Sequence, residues 1–254
     1  MIDLHCHILP GLDDGAGSLE ESLAMAKMAL LDGIHTVVAT PHSLNGLYLN
    51  PLNKVNASVE SLRKVFDENG LNLRLCVGGD THLCPGMVDR VMSGEAVTVN
   101  NSGRYLLLEL PPQTIPERLQ EEIFSLKIHG ITPIITHPER HPGIQRDLRL
   151  LREMISHGAL AQVTAMSLSG EFGGPVMACA EAMLEHRLVH IIASDAHSAD
   201  KRPPVLSRAV EAAEEILGNI EEARWMVEGL PAAILAGDPV EVPPPAEAKK
   251  SFFC

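Results

Sequence analysis

The chain of 254 residues is long enough for one large domain or two small ones, and α/β barrels commonly reach this length as one domain. Its formal net charge of −13 argues against nonspecific binding to nucleic acid or to an anionic membrane, because both require a basic surface. No run of 18 apolar residues is present, which argues against membrane insertion. The five cysteines form no C-x-x-C pair and no export signal precedes the first histidines, so we expect a cytoplasmic protein.

Short β-rich runs alternate with amphipathic runs along the chain. The predicted strands are residues 2–6, 34–40, 72–77, 104–110, 131–136, 159–164 and 188–194. The predicted helices are residues 18–32, 51–69, 114–129, 145–157, 173–186 and 204–217. Ser18 and Glu21 form a capping box, and Gly33, Gly70, Gly130 and Gly158 stand where helices should end. This alternation predicts an α/β fold of parallel strands that close into a barrel over residues 1–237, followed by a proline-rich tail, 238–254, that leaves the domain.

The unusual polar residues fall at the carboxyl ends of the predicted strands. His5 and His7 lie two residues apart in D-L-H-C-H, so in an extended strand their side chains point the same way. The others are Asp14 in the first loop, His42 in A-T-P-H, Asp80 in V-G-G-D, Glu109 in L-L-L-E-L-P, His137 in I-I-T-H-P-E-R, and Asp195 and His197 in A-S-D-A-H. Because the loops after the strands of a barrel build its active site on one rim, these nine residues should meet in space.

Imidazole and carboxylate groups are ligands of divalent ions such as zinc, manganese and iron. Nine such groups suit two or three ions with open positions, and a cluster of dications attracts phosphate. Arg140 in H-P-E-R-H and Arg202 in K-R-P-P follow two of the ligand loops and are placed to clamp phosphate oxygens. The sequence therefore predicts a metal centre that acts on a phosphate ester.

A simpler interpretation exists for each histidine taken alone, since a single buried histidine is more often hydrogen-bonded core than a metal ligand. The whole pattern favours ligands, because chance would scatter such residues over helices and over both ends of a barrel. The remaining histidines are not interpreted as ligands. Three fall in last helical turns, where a cation complements the helix dipole, namely His129, His157 and His186, and no chemistry is assigned to His35, His82, His141 or His190. Asp13 is interpreted as a turn or cap residue.

A rival motif, Cys84-P-G-M-V-D-Arg90, matches the C-x5-R phosphate loop of cysteine-dependent phosphatases. That loop binds phosphate with a ring of backbone N–H groups. Here Pro85 removes one donor and Asp89 places a negative charge beside the arginine, so we do not expect this loop to bind phosphate.

Several longer segments together resemble a known family. They are D-L-H-C-H-I-L-P-G-L-D-D-G, A-T-P-H, L-L-L-E-L-P, P-I-I-T-H-P-E-R, Q-V-T-A-M-S-L-S-G-E-F-G and A-S-D-A-H with the later R-P-P, and they cover nearly all of residues 1–237. This pattern resembles the PHP superfamily, named for polymerase and histidinol phosphatase domains. It is most similar to the bacterial metal-dependent protein-tyrosine phosphatases of capsule and exopolysaccharide loci, the CpsB/CapC family.

The resemblance implies a distorted (β/α)7 barrel, which agrees with the seven strands counted above. It also implies three metal positions, usually filled by manganese: one held by His5, His7, Asp80 and Asp195, a second by Asp80, Glu109 and His137, and a third by Asp14, His42 and His197. The implied substrate is a phosphotyrosine-bearing tyrosine autokinase that controls polysaccharide export. The chain departs from the family at Asp80, where the bridging ligand is normally glutamate, and a carboxylate shorter by one methylene is expected to lengthen the metal–metal distance or weaken one site.

The expected reaction is hydrolysis of a phosphomonoester without a phosphoenzyme. Metal-activated water attacks phosphorus, Arg140 and Arg202 stabilise the equatorial oxygens, and a metal-bound water, His42 or His197 protonates the leaving phenolate. Two alternatives stay open at this point. One is a small-molecule phosphatase of the histidinol-phosphatase type, and the other is a catalytically weakened barrel that binds its kinase without hydrolysing anything.

Overall fold

The computed structural model describes residues 1–246, and within them strands and helices alternate as the sequence predicts. The nine strands of this part of the chain are β1 Ile2–Cys6, β2 Thr36–Ala39, β3 His42–Ser43, β4 Arg74–Val77, β5 Asp80–His82, β6 Tyr105–Glu109, β7 Thr132–Thr136, β8 Leu160–Thr164 and β9 Ile191–Ala193. Every strand pair in the two sheets is parallel, as expected for βα units.

The helices lie between and after these strands. Over residues 1–246 they are α1 Leu19–Leu31, α2 Leu52–Glu68, α3 Met87–Met92, α4 Leu119–Ile128, α5 Pro142–Arg146, α6 Arg149–Ser156, α7 Ala165–Leu168, α8 Gly174–Glu185, α9 Ser207–Leu217, α10 Ile220–Trp225 and α11 Gly229–Ala236. The predicted start of α1 is confirmed, because the Ser18 hydroxyl accepts a hydrogen bond from the backbone N–H of Glu21. The end is also as predicted, since Gly33 follows α1 with φ of 84°.

The strands form two sheets rather than one continuous sheet. Their orders are β1-β2-β4 and β3-β5-β6-β7-β8-β9. Two predicted strands, 34–40 and 72–77, are each followed by a short further strand that the sequence analysis assigned to a loop: β3 follows β2 after Thr40–Pro41, and β5 follows β4 after Gly78–Gly79. Proline lacks the N–H that a ladder requires, and glycine weakens a strand, which explains where the interruptions fall.

The first and last strands lie side by side. The N–H of Asp195 donates to the carbonyl of His5 and the N–H of His7 donates to the carbonyl of Ala196, both at 2.8 Å. A register shift between Asp3 and Cys6 in the pairing of β1 with β2 turns the end of β1. Residues from the two ends of the chain therefore meet at one carboxyl edge.

Apolar residues cover both faces of the strands. Residues such as Leu106, Ile135 and Val163 pack into a large cluster with the helices. Their alternating neighbours form a second cluster, whose strand members are Ile2, Leu4, Val38, Cys76, Tyr105, Leu107, Ile134, Leu160 and Ile191. Residues from α11 complete the second cluster. Sheets buried on both faces are typical of parallel α/β folds.

The segment after α11 follows the body of the protein up to residue 246, although the sequence predicts a tail that leaves it. Val240 and Val242 pack against the second cluster, and the Tyr105 hydroxyl donates to the Asp238 carbonyl at 2.5 Å. Residues 247–254, which include Phe252, Phe253 and Cys254, lie outside the described residues. Among residues 1–246, no helix combines the length and the apolar character that crossing a membrane requires.

Candidate metal centre

The nine histidines and carboxylates singled out from the sequence come together at the carboxyl ends of the strands. They are His5, His7, Asp14, His42, Asp80, Glu109, His137, Asp195 and His197, and each lies within 4 Å of at least one other through its side-chain N or O atoms. Three overlapping groups have donor atoms within 4.8 Å of one another, a spacing that a shared metal ion requires.

The first group contains His5, His7 and Asp80, all buried, with Asp195 beside them. The Nε2 atoms of His5 and His7 lie 3.0 Å apart, and Oδ1 of Asp195 lies 3.4 Å from the former and 3.3 Å from the latter. Oδ2 of Asp80 lies 3.6 Å from Nε2 of His5. These are the four residues that the family resemblance assigns to one metal.

The second group contains His42, Asp80 and Glu109. Oδ2 of Asp80 lies 3.1 Å from Nδ1 of His42, and the two oxygens of Glu109 lie 3.6 Å from Nδ1 of His42 and 3.7 Å from Nε2 of His137. His137 was expected in this group and lies at its edge, with Nε2 at 3.9 Å from Asp80. Asp80 thus lies between the first and second groups, which is the position of a bridging ligand.

The third group contains His7, Asp14, His42 and His197. Oδ1 of Asp14 lies 3.6 Å from Nε2 of both His42 and His197. The imidazole of His7 packs on that of His197 with ring centroids 3.9 Å apart. The expected trio of Asp14, His42 and His197 is therefore assembled, with the half-exposed Asp14 on its outer side.

Two residues that the sequence analysis did not assign to the site orient the paired histidines. The carboxylate of Asp13 accepts hydrogen bonds from Nδ1 of His7 at 2.6 Å and from the backbone N–H of His42 at 2.8 Å. The side-chain oxygen of Gln162 accepts from Nδ1 of His5 at 2.9 Å. Because Nδ1 of each ring faces a hydrogen-bond acceptor, Nε2 is the atom that each histidine would offer to a cation in its neutral form.

Burial and neighbouring charges shift the pKa values of these residues in opposite directions. Burial opposes the charged form of His7, but the hydrogen bonds that it donates to Asp13 and Asp195 outweigh this effect and raise its pKa to about 10. Burial lowers the pKa of His5 to about 4, against the attraction of Asp80 and Asp195. For Asp80 burial favours the neutral acid, but the electrostatic interaction with His5 and the other histidines around it holds its pKa well below the usual range. Asp80 is therefore an ionised carboxylate among the histidines.

Backbone conformation also shapes the centre. His137 and Asp195 have positive φ angles of 38° and 51°, which non-glycine residues rarely adopt. Gly15 follows the two aspartates, and a Cβ atom there would lie 2.2 Å from the carbonyl oxygen of His7. The turn that presents Asp13 and Asp14 to the histidines thus requires glycine, and strain of this kind is typical of functional sites.

Both predicted arginines lie at the centre, paired with a candidate ligand. Arg140 and Arg202 each donate from Nη2 to Oδ2 of Asp195, and the second of these bonds is 2.6 Å long. Phe172 lies under both, with its ring centroid 5.2 Å and 5.8 Å from the guanidinium carbons of Arg140 and Arg202. The aromatic ring holds both cations toward the same carboxylate, a contribution that the sequence analysis missed.

Two other histidines make hydrogen bonds with the backbone. Nε2 of His141 bonds to the Pro111 carbonyl, and Nδ1 of His190 accepts from the Ala161 N–H. His82 lies nearer the centre, with Nδ1 at 3.5 Å from Glu109, and it is absent from the three groups.

The rival phosphate loop has the wrong electrostatics. Arg90 forms an ion pair with Glu95, which adds a second carboxylate to the loop beside Asp89. Burial raises the pKa of the Cys84 thiol, which disfavours the thiolate that a cysteine-dependent phosphatase needs as its nucleophile.

Fold and site together define an α/β protein with a candidate metal centre at the carboxyl edge of parallel strands. The sequence profile of the family described as Capsular polysaccharide synthesis, CpsB/CapC, matches residues 1–235. The chain belongs to this family.

Individual relatives agree with this assignment. The chain is 38% identical over 208 residues to a protein named putative tyrosine-protein phosphatase CapC from Staphylococcus aureus, covering 82% of this chain and 81% of that protein. It is 32% identical over 250 residues to tyrosine-protein phosphatase YwqE from Bacillus subtilis, covering 98% and 97% respectively. A structure solved in a study of YwqE from B. subtilis and CpsB from Streptococcus pneumoniae, described as unique metal-dependent tyrosine phosphatases, superposes with a TM-score of 0.93 at 32% identity, over 98% of this chain and 100% of that one.

Proposed function

We propose that this chain is a metal-dependent phosphomonoesterase that removes phosphate from phosphotyrosine in a protein involved in capsule or exopolysaccharide synthesis. The observation that carries the proposal is the convergence of five histidines and four carboxylates at one strand edge, with two arginines beside them. The names of the relatives and of the matching structure support tyrosine phosphatase activity.

The side chains present fit divalent metal ions. Oδ2 of Asp80 and Nδ1 of His42 are buried and have no hydrogen-bond partner within the described part of the chain, although they lie 3.1 Å apart. The Nε2 atoms of His5 and His7 lie 3.0 Å apart, so one metal ion could bind both. Two or three ions would be held by the nine residues described above, and manganese is our proposal for their identity because carboxylate and imidazole ligands without thiolate suit it.

Metal ions bound there would lower the pKa of water and offset the charge of the phosphate. The chain itself supplies the remaining chemistry. Arg140 and Arg202 lie side by side at Asp195 and present planar forks that match phosphate oxygens in charge and geometry. With the third metal position empty, His42 would be placed to give a proton to the leaving phenolate oxygen, because burial lowers its pKa but Asp80 outweighs this and raises it. His197, which the sequence also offered for this role, is unsuited to it, because burial and the neighbouring His7 lower its pKa to about 2.

For the scaffold we propose the distorted (β/α)7 barrel and the single domain over residues 1–237. Joining each interrupted pair, β2 with β3 and β4 with β5, gives seven strand positions in the order of the chain. The hydrogen bonds between the ends of β1 and β9 support closure of the ring. Both apolar clusters draw residues from nearly every strand, which supports one folding unit.

The partner we propose is a tyrosine autokinase, whose phosphotyrosines would be the physiological substrate. A cytoplasmic location is proposed with it. The cysteines of the described residues, Cys6, Cys76, Cys84 and Cys179, are all free thiols, as a reducing compartment maintains them.

The test compares phosphate release from a phosphotyrosine peptide and from histidinol phosphate, with and without a chelator. We expect the peptide to be the better substrate and the activity to disappear with chelator or in His5→Ala. Cys84→Ser is the matched control and should retain full activity, because Cys84 lies outside the centre. Loss of activity in Cys84→Ser together with survival of His5→Ala would refute the metal mechanism, and full metal binding without turnover of any phosphoester would refute an enzymatic function.

A further inference from the structure

The loop after β3 exposes two leucines beside the metal centre. Residues 43–50 read S-L-N-G-L-Y-L-N and carry no charge, in a chain with a net charge of −13. Leu47 and Leu49 are 84% and 57% exposed, whereas Tyr48 between them is half-buried and Asn50 is buried. This alternation turns the two leucines, which we call the leucine rim, away from the protein.

The loop is held in one conformation by hydrogen bonds. The side-chain oxygen of Asn45 accepts from the N–H groups of Leu47 and Tyr48 at 3.1 and 2.8 Å. The side-chain nitrogen of Asn50 donates to the carbonyls of Leu12 and His42, at 3.1 and 2.7 Å. Because the backbone is already ordered, little additional entropy is lost when a ligand contacts the leucine rim.

The loop also contacts the candidate metal centre directly. The ring of Tyr48 lies nearly parallel to the imidazole of His42, at an angle of 10° and with centroids 6.4 Å apart. Asn50 bonds to the backbone carbonyl of the same histidine. His42 is a candidate ligand, so the leucine rim stands at the edge of the site.

The position of the leucine rim indicates which ligand it contacts. Any polypeptide whose tyrosyl phosphate reaches His42 must cross the edge of the centre, and its two residues on either side extend about 7 Å from the tyrosine. An uncharged, ordered loop with two exposed leucines offers those residues apolar contact and no charge complement. We propose that the leucine rim binds apolar side chains that flank the phosphotyrosine of the protein substrate. This inference rests on the proposed function and adds a sequence preference to it.

The test uses three substrates with the metal-loaded full chain. Two are phosphotyrosine peptides that differ only in carrying leucine or serine at the two positions on each side of the phosphotyrosine, and the third is para-nitrophenyl phosphate, which has no flanking residues. The double variant Leu47→Ser/Leu49→Ser is compared with Leu31→Ser. Leu31 is 88% exposed at the end of α1, which leads to the amino end of β2, on the edge of the strands opposite the centre.

We expect the wild type to prefer the leucine peptide by about tenfold in kcat/KM, since partial burial of two leucine side chains strengthens binding by about that factor. The double variant should lose this preference and hydrolyse para-nitrophenyl phosphate at the wild-type rate, and Leu31→Ser should behave as wild type on all three. Equal use of both peptides by the wild type would overturn the proposal. An equal loss on all three substrates in the double variant would also overturn it, because the leucines would then support the centre itself. A wild type inactive on every substrate would instead refute the proposed function.

Discussion

Asp13 offers the sharpest test of how the centre binds metal. One oxygen of its buried carboxylate accepts from Nδ1 of His7 at 2.6 Å and from the N–H of His42 at 2.8 Å, and the other accepts from the N–H of Gly15 at 3.0 Å. The substitution Asp13→Asn preserves the shape but replaces one acceptor oxygen with an NH2 donor. With either orientation of the amide, a backbone or imidazole N–H loses its acceptor.

The expected cost follows from these contacts. Leaving a buried donor without an acceptor costs about 1–3 kcal/mol, and an NH2 group facing His7 would move the imidazole proton to Nε2, where the metal should bind. Residues that orient a histidine ligand contribute about 10- to 100-fold to metal affinity. We therefore expect the affinity for Mn²⁺ to fall by about 10- to 100-fold in Asp13→Asn.

The assay is calorimetric titration of the chelator-treated protein with Mn²⁺. Asp89→Asn is the matched control, because this carboxylate is exposed on α3, outside the three candidate groups, and its loss should leave the affinity unchanged. His5→Ala gives the value expected when a ligand itself is removed. An affinity of Asp13→Asn within twofold of wild type, in a protein where His5→Ala abolishes binding, would show that the carboxylate does not orient His7.

Three further outcomes are expected. Burial lowers the pKa of His190 to about 4, below its ordinary value of about 6.5, so the unfolded chain binds more protons between these pH values and stability falls as pH decreases through them. His190→Asn should therefore reduce the slope of unfolding free energy against pH in urea titrations by up to about 1.4 kcal/mol per pH unit, and an unchanged slope would contradict this. Phe172→Leu should raise the inhibition constant of inorganic phosphate about three- to tenfold by releasing both arginines, whereas Phe172→Tyr should restore it; equal values in all three proteins would refute a cation–π role. Gly15→Ala should lower the unfolding free energy by about 2–4 kcal/mol because its Cβ collides with His7, and wild-type stability with intact Mn²⁺ binding would show that the turn relaxes.

The convergence of the nine candidate ligands could be predicted because it depends on topology. In parallel βα units every strand points the same way, so residues at the ends of distant strands share one edge. His5 and Asp195 are separated by 190 positions, yet their contact requires only that β1 and β9 be neighbours. No detailed loop geometry enters this reasoning.

The supporting residues could not be predicted because their roles depend on local geometry. Asp13 and Asp14 are adjacent and chemically identical, and only the turn at Gly15 directs the first toward His7 and leaves the second half-exposed. Gln162 lies within β8, on the same face of the strand as Leu160 of the second cluster. A polar residue at that apolar position was the available indication of its role. Phe172 lies in an irregular segment between α7 and α8, which carries no periodicity.

The short strands β3 and β5 could not be predicted from apolar runs either. Residues 34–40 and 72–77 were each predicted as one strand, and the short continuations β3 and β5 were assigned to loops. Hydrophobic pattern locates a strand but does not fix its hydrogen-bond partners. Pro41 and the pair Gly78–Gly79 were the available signals, since both kinds of residue disturb a ladder.

The hydrogen bonds between the carboxyl ends of β1 and β9 make the centre a product of the finished chain. A nascent polypeptide that has emerged from the ribosome only as far as β8 carries His5 and His7 but not Asp195 or His197, and β1 has no neighbour on that side. Contacts between such distant residues form late, because a long loop must close before they can contribute. The first and third groups should therefore be completed only at the last step of folding, and incomplete translation products should have no activity.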